Sequence, residues 1–197
     1  KLYGMVTEGE QTETEFDAPF GDAGGKRPRL LVRATQARER IEGSLQDVTE
    51  KALANANLQF LAHNDPLTKV LNRRGTEREL DQAMALMAQG QPMAVAYLDL
   101  DRFKLINDLF GHSAGDEVLQ QVCARIKNVL SGAMRIGRVG GDEFVSVFPN
   151  ARIGLAALIC RGIVDGIGGS PYRVGERSFH VRGSIGLIEV MPGTSVK

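Results

Sequence analysis

The alternation of apolar and polar positions divides the first third of the chain into short, distinct pieces. Residues 1–27 are polar and rich in glycine, which predicts loop with one strand around 13–19. Residues 29–35 and 41–45 are strand-like runs separated by the charged stretch at 38–40. This pattern predicts a β-hairpin. The pattern then changes to helical spacing from Asp47 onward, so we expect a helix over 47–62.

The predicted helix at 47–62 allows two interpretations. It begins with Asp47 and Glu50, a pair at the spacing of a capping box. Some of its apolar positions are roughly heptad-spaced, so the helix either packs on its own domain or forms a short parallel coiled coil that transmits a signal. Two or three heptads are too few to decide between these. The apolar positions are Val48, Ala52, Leu58, Leu61 and Ala62.

Helices and strands are predicted to intermix in the chain beyond Asp65-Pro66. A continuous apolar run at 93–98 predicts a central strand that is buried on both faces. Two strands around Gly140 and Gly141 predict a hairpin. The complete prediction is a helix at 72–88, a strand at 93–98, helices at 103–109 and 115–130, strands at 135–139 and 143–148, a helix at 152–166 and a strand at 180–188.

Composition and charge exclude several classes of protein. The chain has 197 residues, which allows one domain of roughly 100–200 residues with an appendage. Lysine and arginine together number 24, and aspartate and glutamate together also number 24, so the formal net charge is zero. This neutral balance argues against a nucleic-acid partner or an anionic membrane surface. No apolar run approaches the ~20 residues of a membrane span.

The cysteine pattern and the first residues of the chain indicate in which cellular compartment the protein is expected. Cys123 and Cys160 lack the spacing of a zinc site or a disulfide framework, which favours a reducing cytoplasm. Acidic residues between positions 8 and 17 exclude a signal peptide there. The chain begins at Lys1 without an initiator methionine, so we expect a piece of a longer protein, one that can itself be tethered to a membrane.

Four carboxylates flank strands that are otherwise apolar. Asp99 and Asp101 end the predicted central strand, and Asp142 and Glu143 follow the glycine pair of the hairpin. Taken singly, each has a structural explanation as a helix cap or a turn residue. If the hairpin pairs beside the central strand, however, the carboxylates converge at one sheet edge. Hard oxygen ligands of this kind are what Mg²⁺ prefers when it also binds phosphate oxygens.

The segment between these carboxylates is a strand-to-helix junction suited to a nucleotide. Free backbone N–H groups at a helix start favour phosphate, and Lys104 adds a mobile cation. Asn107 and Asp116 can bind a base edge, and a carboxylate that accepts from two adjacent N–H groups favours guanine over adenine. The residues expected to face the core are Phe103, Ile106 and Leu109.

Taken together, the motifs resemble the GGDEF domain of diguanylate cyclases over about residues 60–190. Residues 97–116 read YLDLDRFKLINDLFGHSAGD and residues 138–144 read RVGGDEF. Residues 65–74 are similar to the opening of that domain and residues 184–187 to its late strand. The resemblance implies an α+β fold with a central, mostly antiparallel sheet flanked by helices, akin to nucleotidyl cyclases and polymerase palms.

The resemblance also implies an activity and its residues. Two domains, each holding GTP and Mg²⁺ (or Mn²⁺), would face each other as a homodimer and make cyclic di-GMP and two pyrophosphates. By this resemblance, Asp65 pairs with Arg73 in a salt bridge, and His112 is a packed turn residue. The implied site residues are Asp99, the Leu100 carbonyl and Asp142 for metal, Glu143 for catalysis by activating the 3′-hydroxyl or for holding a second metal, Arg102, Phe103 and Lys104 for phosphate, Asn107 and Asp116 for guanine, and Gly140 and Gly141 for a close-approach turn.

Two departures from the family pattern bear on function. Many members carry an inhibitory Arg-x-x-Asp five residues before the glycine pair, but residues 131–134 here read SGAM. Product inhibition through that site is therefore not expected. The family also continues into a helix with phosphate-contacting Lys and Arg residues, whereas this chain ends at Lys197. The predicted GGDEF domain, 64–197, is accordingly expected to be incomplete at its C-terminal end.

Neighbouring segments resemble parts of a signalling protein. Residues 1–46 resemble the last strands of a PAS sensor domain, which makes 47–63 a signalling linker helix. We expect no cofactor in this partial sensor segment. The sequence of residues 99–116 also resembles that segment in GGDEF domains that precede a phosphodiesterase domain. An alternative function is a catalytically silent GTP-binding domain that regulates such a neighbour. A third hypothesis, a polymerase-like protein that binds nucleic acid, rests on fold analogy alone.

Overall fold

Two compact units make up the chain. The computed structural model describes residues 11–18, 27–37, 40–130 and 134–191. One unit ends at Phe60 and the other begins at Leu61. The loop expected before residue 11 and most of the SGAM stretch lie outside the described residues. Within the described residues, none of the helices is both long and apolar enough to cross a bilayer.

The first unit contains a three-stranded antiparallel sheet. Its strands are β1 (Gln11–Asp17), β2 (Arg29–Ala37) and β3 (Arg40–Asp47), in the order β1-β2-β3. The predicted hairpin between the second and third strands is confirmed. Two salt bridges of 3.1 and 3.2 Å join β1 to β2. Both are exposed to solvent, so they contribute little to stability.

Helix α1 (Thr49–His63) follows this sheet, and the Asp47 side chain bonds its first residue. The Asp47 carboxylate accepts hydrogen bonds from the Thr49 N–H at 2.9 Å and from its hydroxyl at 2.5 Å. The predicted capping box of Asp47 and Glu50 is therefore wrong. The helix starts only two residues after Asp47, so the Asp47 side chain closes a local turn with Thr49 instead. These bonds lower the pKa of Asp47. No residue of α1 is buried.

The second unit contains the remaining elements in nearly the predicted order. The short hairpin of β7 and β8 was not predicted, because runs of three residues are too short for periodicity to reveal. The elements are α2 (Arg73–Met87), β4 (Met93–Leu100), α3 (Phe103–Phe110), α4 (His112–Val129), β5 (Arg135–Arg138), β6 (Glu143–Pro149), α5 (Ile153–Gly168), β7 (Tyr172–Val174), β8 (Arg177–Phe179) and β9 (Gly183–Glu189).

An antiparallel sheet in the order β5-β6-β4-β9 is the centre of this unit. Residues on one face pack against α3, α4 and α5, as Leu98 and Phe144 do in the largest core cluster. Residues on the other face, including Val145 and Val147, pack against α2. The expected α+β class, with a mostly antiparallel sheet flanked by helices, is confirmed.

Strand β4 departs from its prediction in its second half. Its face toward α2 is buried at Met93, but Tyr97 is 45% exposed and Asp99 is also exposed. The prediction of burial on both faces is wrong there, because α2 packs mainly against β6 and β5. The carboxylate end of the central strand is therefore open to solvent.

Two arginines hold the turn between β5 and β6. Arg138 forms a salt bridge with Asp65 at 3.3 Å and donates two further bonds to the Gly141 carbonyl. Arg73 donates instead to the Val139 carbonyl at 2.8 Å. The expected Asp65–Arg73 salt bridge is therefore wrong. The Arg138 N–H bonds the Leu71 carbonyl at 2.7 Å, which brings this arginine beside the loop that contains Asp65.

Asp65 links that loop to the turn. Its carboxylate accepts from the Thr68 N–H at 2.8 Å and the Thr68 hydroxyl at 2.6 Å. Burial acts to raise the pKa of Asp65, but the bonds from Thr68 and the charge of Arg138 outweigh it and hold the pKa below its usual range. The ionised carboxylate thus stabilises the fold above its unfolded pKa, and this contribution is lost as the pH falls through the folded-state pKa.

We expect Asp65→Ala to lower the free energy of unfolding by about 2–3 kcal/mol at neutral pH, because it removes bonds to a charged group. Urea unfolding of both proteins between pH 3 and pH 7 measures this difference, which should shrink as the pH falls below about 4. Asp81→Ala, at an exposed position of α2, is the control and should change stability by less than about 0.5 kcal/mol. A difference that is constant with pH would contradict the charge-based account.

Candidate active site

The register of the sheet brings the predicted carboxylates together. Asp99 pairs with Glu143 of β6 on one side and with Ser184 of β9 on the other. The Leu100 N–H donates to the Asp142 carbonyl at 3.2 Å. The end of β4 therefore lies beside the start of β6, which is the arrangement that the hairpin hypothesis requires.

Negative charge accumulates at this end of the sheet. Partial burial raises the pKa of Asp99, and the charges of Asp142, Glu143 and Asp101 raise it further. A hydrogen bond to Glu143 is the main cause of a raised pKa at Tyr97, with smaller effects from burial and from neighbouring carboxylates. A cation placed among these groups would relieve their mutual repulsion.

Side chains alone supply only some of the ligands that a divalent metal would need at this site. Within the described residues, no three His, Cys, Asp or Glu side chains form a group that could hold a metal ion. The expected ligands are two carboxylates, Asp99 and Asp142, and the Leu100 carbonyl. Mg²⁺ commonly takes one or two carboxylates and completes its shell with water and phosphate oxygens, so these donors fit a metal that arrives with a nucleotide.

The glycine pair has two different surroundings. A Cβ at Gly140 would overlap the Glu143 carboxylate, so this position allows Glu143 to pack against the turn. The Glu143 carbonyl also accepts the Val139 N–H at 3.0 Å. Apart from Gly141 itself and its two chain neighbours, no residue has an atom within 4 Å of the position that a Cβ at Gly141 would occupy, so this glycine leaves the outer side of the turn open.

The junction between β4 and α3 presents backbone N–H groups. Arg102 adopts a left-handed conformation with φ of 57°, and α3 has no side-chain cap at its start. The first N–H groups of a helix lack intrahelical partners and favour an anion. Phe103 is buried and Lys104 is exposed, so the backbone of this junction and the lysine can both face a ligand.

One residue of α3 lies elsewhere than predicted. Phe103 and Ile106 are buried as expected, but Leu109 is 69% exposed. Three residues turn an α-helix through about 300°, which is roughly 60° short of a full turn. Leu109 is six residues after Phe103, so it lies about 120° around the helix from Phe103. The prediction that Leu109 faces the core is therefore wrong.

Asn107 and Asp116 lie near the junction of α3 and α4. Asn107 is half-buried and Asp116 is exposed in the first turns of α4. A Cβ at Gly115 would overlap the Asn107 amide oxygen, so Gly115 makes room for that side chain. Sequence reasoning missed Gly115, although a glycine inside a predicted helix costs about 1 kcal/mol relative to alanine and thus indicates such a role. His112 is exposed at the start of α4, so its prediction as a packed residue is wrong.

A cleft of about 770 Å³ adjoins the carboxylates. This volume is within the range of small-molecule sites, roughly 300–1,000 Å³. Of the predicted site residues, Asp99 and Arg102 line the cleft, whereas Asp142, Glu143, Asn107 and Asp116 are not among its lining residues. Sequence reasoning missed His180 and Arg182. The lining residues are Asp99, Asp101, Arg102, Leu105, Ile106, His180 and Arg182.

Comparison with known proteins agrees with this geometry. The family described as diguanylate cyclase, GGDEF domain, matches residues 62–196. The chain belongs to the GGDEF family. The chain is also similar to a solved structure of the coiled coil and GGDEF domain of DgcB from Caulobacter crescentus in complex with c-di-GMP. That similarity has a TM-score of 0.71 at 28% identity and covers 75% of this chain and 80% of that one.

Curated relatives of this GGDEF chain include enzymes of cyclic di-GMP metabolism. It is 35% identical over 182 residues to the diguanylate cyclase DgcP of Escherichia coli, covering 88% of this chain and 53% of that protein. It is 36% identical over 165 residues to MucR of Pseudomonas aeruginosa, named a bifunctional diguanylate cyclase/cyclic di-GMP phosphodiesterase, covering 83% of this chain and 24% of that protein. The GGDEF chain thus spans from about a quarter to about half of these two relatives.

Removal of the Asp99 charge tests the electrostatics of the site. Because the pKa of Asp99 is raised, its protonated form favours folding, and that contribution is lost as the pH rises above the folded-state pKa. We therefore expect Asp99→Asn to raise Tm slightly at neutral pH in a chelator. Millimolar Mg²⁺ should raise the Tm of the unmodified chain by about 2–4 °C and leave that of Asp99→Asn unchanged.

Asp165→Asn is the matched control, because Asp165 is an exposed aspartate on α5. This variant should keep the full Mg²⁺ effect. If Asp99→Asn lowers Tm in the chelator and still responds to Mg²⁺, the assignment of Asp99 to a repulsive, cation-binding cluster is wrong.

Proposed function

We propose that the chain is a diguanylate cyclase domain, which condenses two GTP molecules into cyclic di-GMP and two pyrophosphates in a metal-dependent homodimer. The observation that supports this most is the pairing of Asp99 with Glu143 beside Asp142 at the open end of the sheet. Membership of the GGDEF family supports a role in cyclic di-GMP metabolism.

In this proposal, Asp99, Asp142 and the Leu100 carbonyl hold Mg²⁺ or Mn²⁺. The bound metal would neutralise charge on the phosphate oxygens and make the α-phosphorus easier to attack. The uncapped N–H groups at the start of α3, from Arg102 to Lys104, would bind the phosphates. These donors follow the end of β4 at Leu100 and are close to Asp99 in the chain.

Glu143 would act on the attacking hydroxyl. The 3′-oxygen of one GTP forms a bond to the α-phosphorus of the other, pyrophosphate leaves, and the hydroxyl proton passes to the Glu143 carboxylate. The hydrogen bond from Tyr97 supports this role, because it orients the carboxylate at the sheet surface. Two such reactions close the cyclic product.

Asn107 and Asp116 would bind guanine. The Asp116 carboxylate can accept from two adjacent N–H groups on the guanine edge, and the Asn107 amide can bind beside it. The close packing of Asn107 against Gly115 supports this role, since it fixes the amide next to Asp116.

Glu143→Gln separates an enzyme from a silent GTP-binding regulator. With purified protein, GTP and Mg²⁺, chromatography of the nucleotides should show cyclic di-GMP and pyrophosphate from the unmodified chain. We expect Glu143→Gln to lower this rate by at least about a hundredfold, as loss of an acid–base group does, while GTP binding is kept. Glu176→Gln, at the exposed β7–β8 turn, should keep the full rate.

A silent regulator would give a different result. Such a domain would bind GTP and make no cyclic di-GMP, with or without Glu143. Because the chain spans only part of its relatives, unchanged GTP should be followed by the same assay on a longer version of the protein. Persistent lack of product there would contradict the cyclase proposal and favour regulation of a neighbouring phosphodiesterase-type domain.

The homodimer is proposed to form through α1. Leu53, Leu58 and Leu61 are each more than half exposed, and no residue of this helix is buried within the chain. Leu58 and Leu61 are three residues apart, the spacing of successive seam positions in a coiled coil. A second copy that covers these leucines would bring two GTP sites together.

Leu58→Lys should weaken this dimer, because it places two ammonium groups in the seam. Sedimentation velocity over a range of concentrations should show a rise in the dimer dissociation constant of about tenfold or more. Leu86→Lys replaces an exposed leucine of α2 and should leave the dissociation constant unchanged. Equal weakening by both variants, or a monomer at every concentration, would contradict a role for α1.

The remaining proposals concern the parent protein. The antiparallel sheet of β1, β2 and β3, followed at once by α1, supports a PAS-type sensor segment at 1–46 and a linker helix at 47–63. We place the GGDEF domain, at 64–197, in the cytoplasm, where GTP is available. A phosphodiesterase domain downstream is consistent with the bifunctional name of one relative.

A further inference from the structure

Arg182 lines the cleft beside the carboxylates. It directly precedes β9, and its carbonyl accepts the Asp101 N–H at 2.9 Å. This bond extends the β4–β9 ladder one residue beyond the pair of Leu100 and Gly183. Arg182 is therefore fixed by the backbone beside the point where the chain turns from β4 into α3.

The cleft is lined by both acidic and basic side chains. Asp99 and Asp101 line it together with Arg102 and Arg182. Asp101 already accepts the Ser184 hydroxyl at 2.8 Å. Among the residues that the structure describes, neither of these arginines takes part in a salt bridge. Their charges are thus available to an anion that enters the cleft.

The positions of the other groups indicate which part of a nucleotide would reach Arg182. The proposed guanine-binding residue Asn107 lies one helical turn beyond Phe103, toward the C-terminal end of α3. Arg182 lies at the opposite end, next to Asp101 and before the helix begins. A GTP with its base at Asn107 and its α-phosphate at Asp99 would direct its outer phosphates toward this end of the cleft.

We propose that Arg182 binds the β- and γ-phosphates of the nucleoside triphosphate. This inference rests on the proposed function for the identity of the nucleotide. A guanidinium suits this task, since it offers several N–H donors in a planar arrangement that matches phosphate oxygens. Arg182 acts as a binding residue that sets the preference for a triphosphate over a monophosphate, and it takes no part in proton transfer.

Calorimetric titration with two nucleotides tests this role separately from catalysis. The probes are a GTP analogue with a methylene group between the α- and β-phosphates, which cannot release pyrophosphate, and GMP, each with Mg²⁺. We expect Arg182→Ala to weaken binding of the triphosphate analogue by about tenfold or more and to change GMP binding less than about twofold. Arg182→Lys should recover part of the loss, because it keeps the charge but not the planar donors.

Arg161→Ala is the matched control, an exposed arginine on α5 that is not part of this cleft. It should bind both nucleotides as the unmodified chain does. Equal Tm values for the unmodified chain and Arg182→Ala would show that the variant is folded. In turnover, Arg182→Ala should raise KM for GTP by about the same factor as the binding loss and change kcat less.

Three outcomes overturn the inference. Arg182→Ala binds the triphosphate analogue with unchanged affinity, or it weakens GMP and the analogue equally, or the unmodified chain binds neither nucleotide. Failure of the proposed function looks different. In that case the unmodified chain makes no cyclic di-GMP, yet Arg182→Ala still loses affinity for the triphosphate analogue alone, and the inference stands for a GTP-binding domain.

Discussion

The antiparallel register of β4 between β6 and β9 is the constraint on which the rest of the site depends. A shift of one residue would move Asp99 to the face that packs against α3, α4 and α5, because side chains alternate along a strand. In the observed register, Asp99 is opposite Glu143 and Ser184. Apolar side chains on the other face fix this register, since Leu98 and Phe144 are almost fully buried there. The core thus positions charges that by themselves repel one another.

A second constraint is the incomplete cover of the sheet. Helix α2 packs against β6 and β5, and it leaves the end of β4 exposed at Tyr97 and Asp99. Carboxylates at this end keep part of their hydration, so the fold tolerates them without a bound cation. Arg73 and Arg138 stabilise the nearby turn through backbone carbonyls, at Val139 and Gly141. They hold the Gly140–Gly141 turn in place and leave the Asp99 and Glu143 carboxylates available.

Much of this arrangement is predictable from local sequence, and the failures have physical reasons. The apolar run that forms β4 and the carboxylates that flank the strands both follow from neighbouring residues. The partner of Asp65 does not, because Asp65 and Arg138 are 73 residues apart and meet only in the folded sheet. The sequence does not predict Arg182 as a site residue for the same reason. Its role depends on the β4–β9 pairing, and no pattern around position 182 indicates that pairing.

The placement of charge also indicates how a nucleotide and a metal would bind. A triphosphate that approaches without a cation meets the charges of Asp99, Asp101, Asp142 and Glu143. A divalent ion changes the sign of this interaction, because it is attracted by both the carboxylates and the phosphates. The cations Arg102 and Arg182 are in the cleft but form no salt bridge within the described part of the chain. As cations they attract phosphate oxygens, whereas the carboxylates attract a metal ion. Metal and nucleotide should therefore bind cooperatively, since each reduces the repulsion that the other meets.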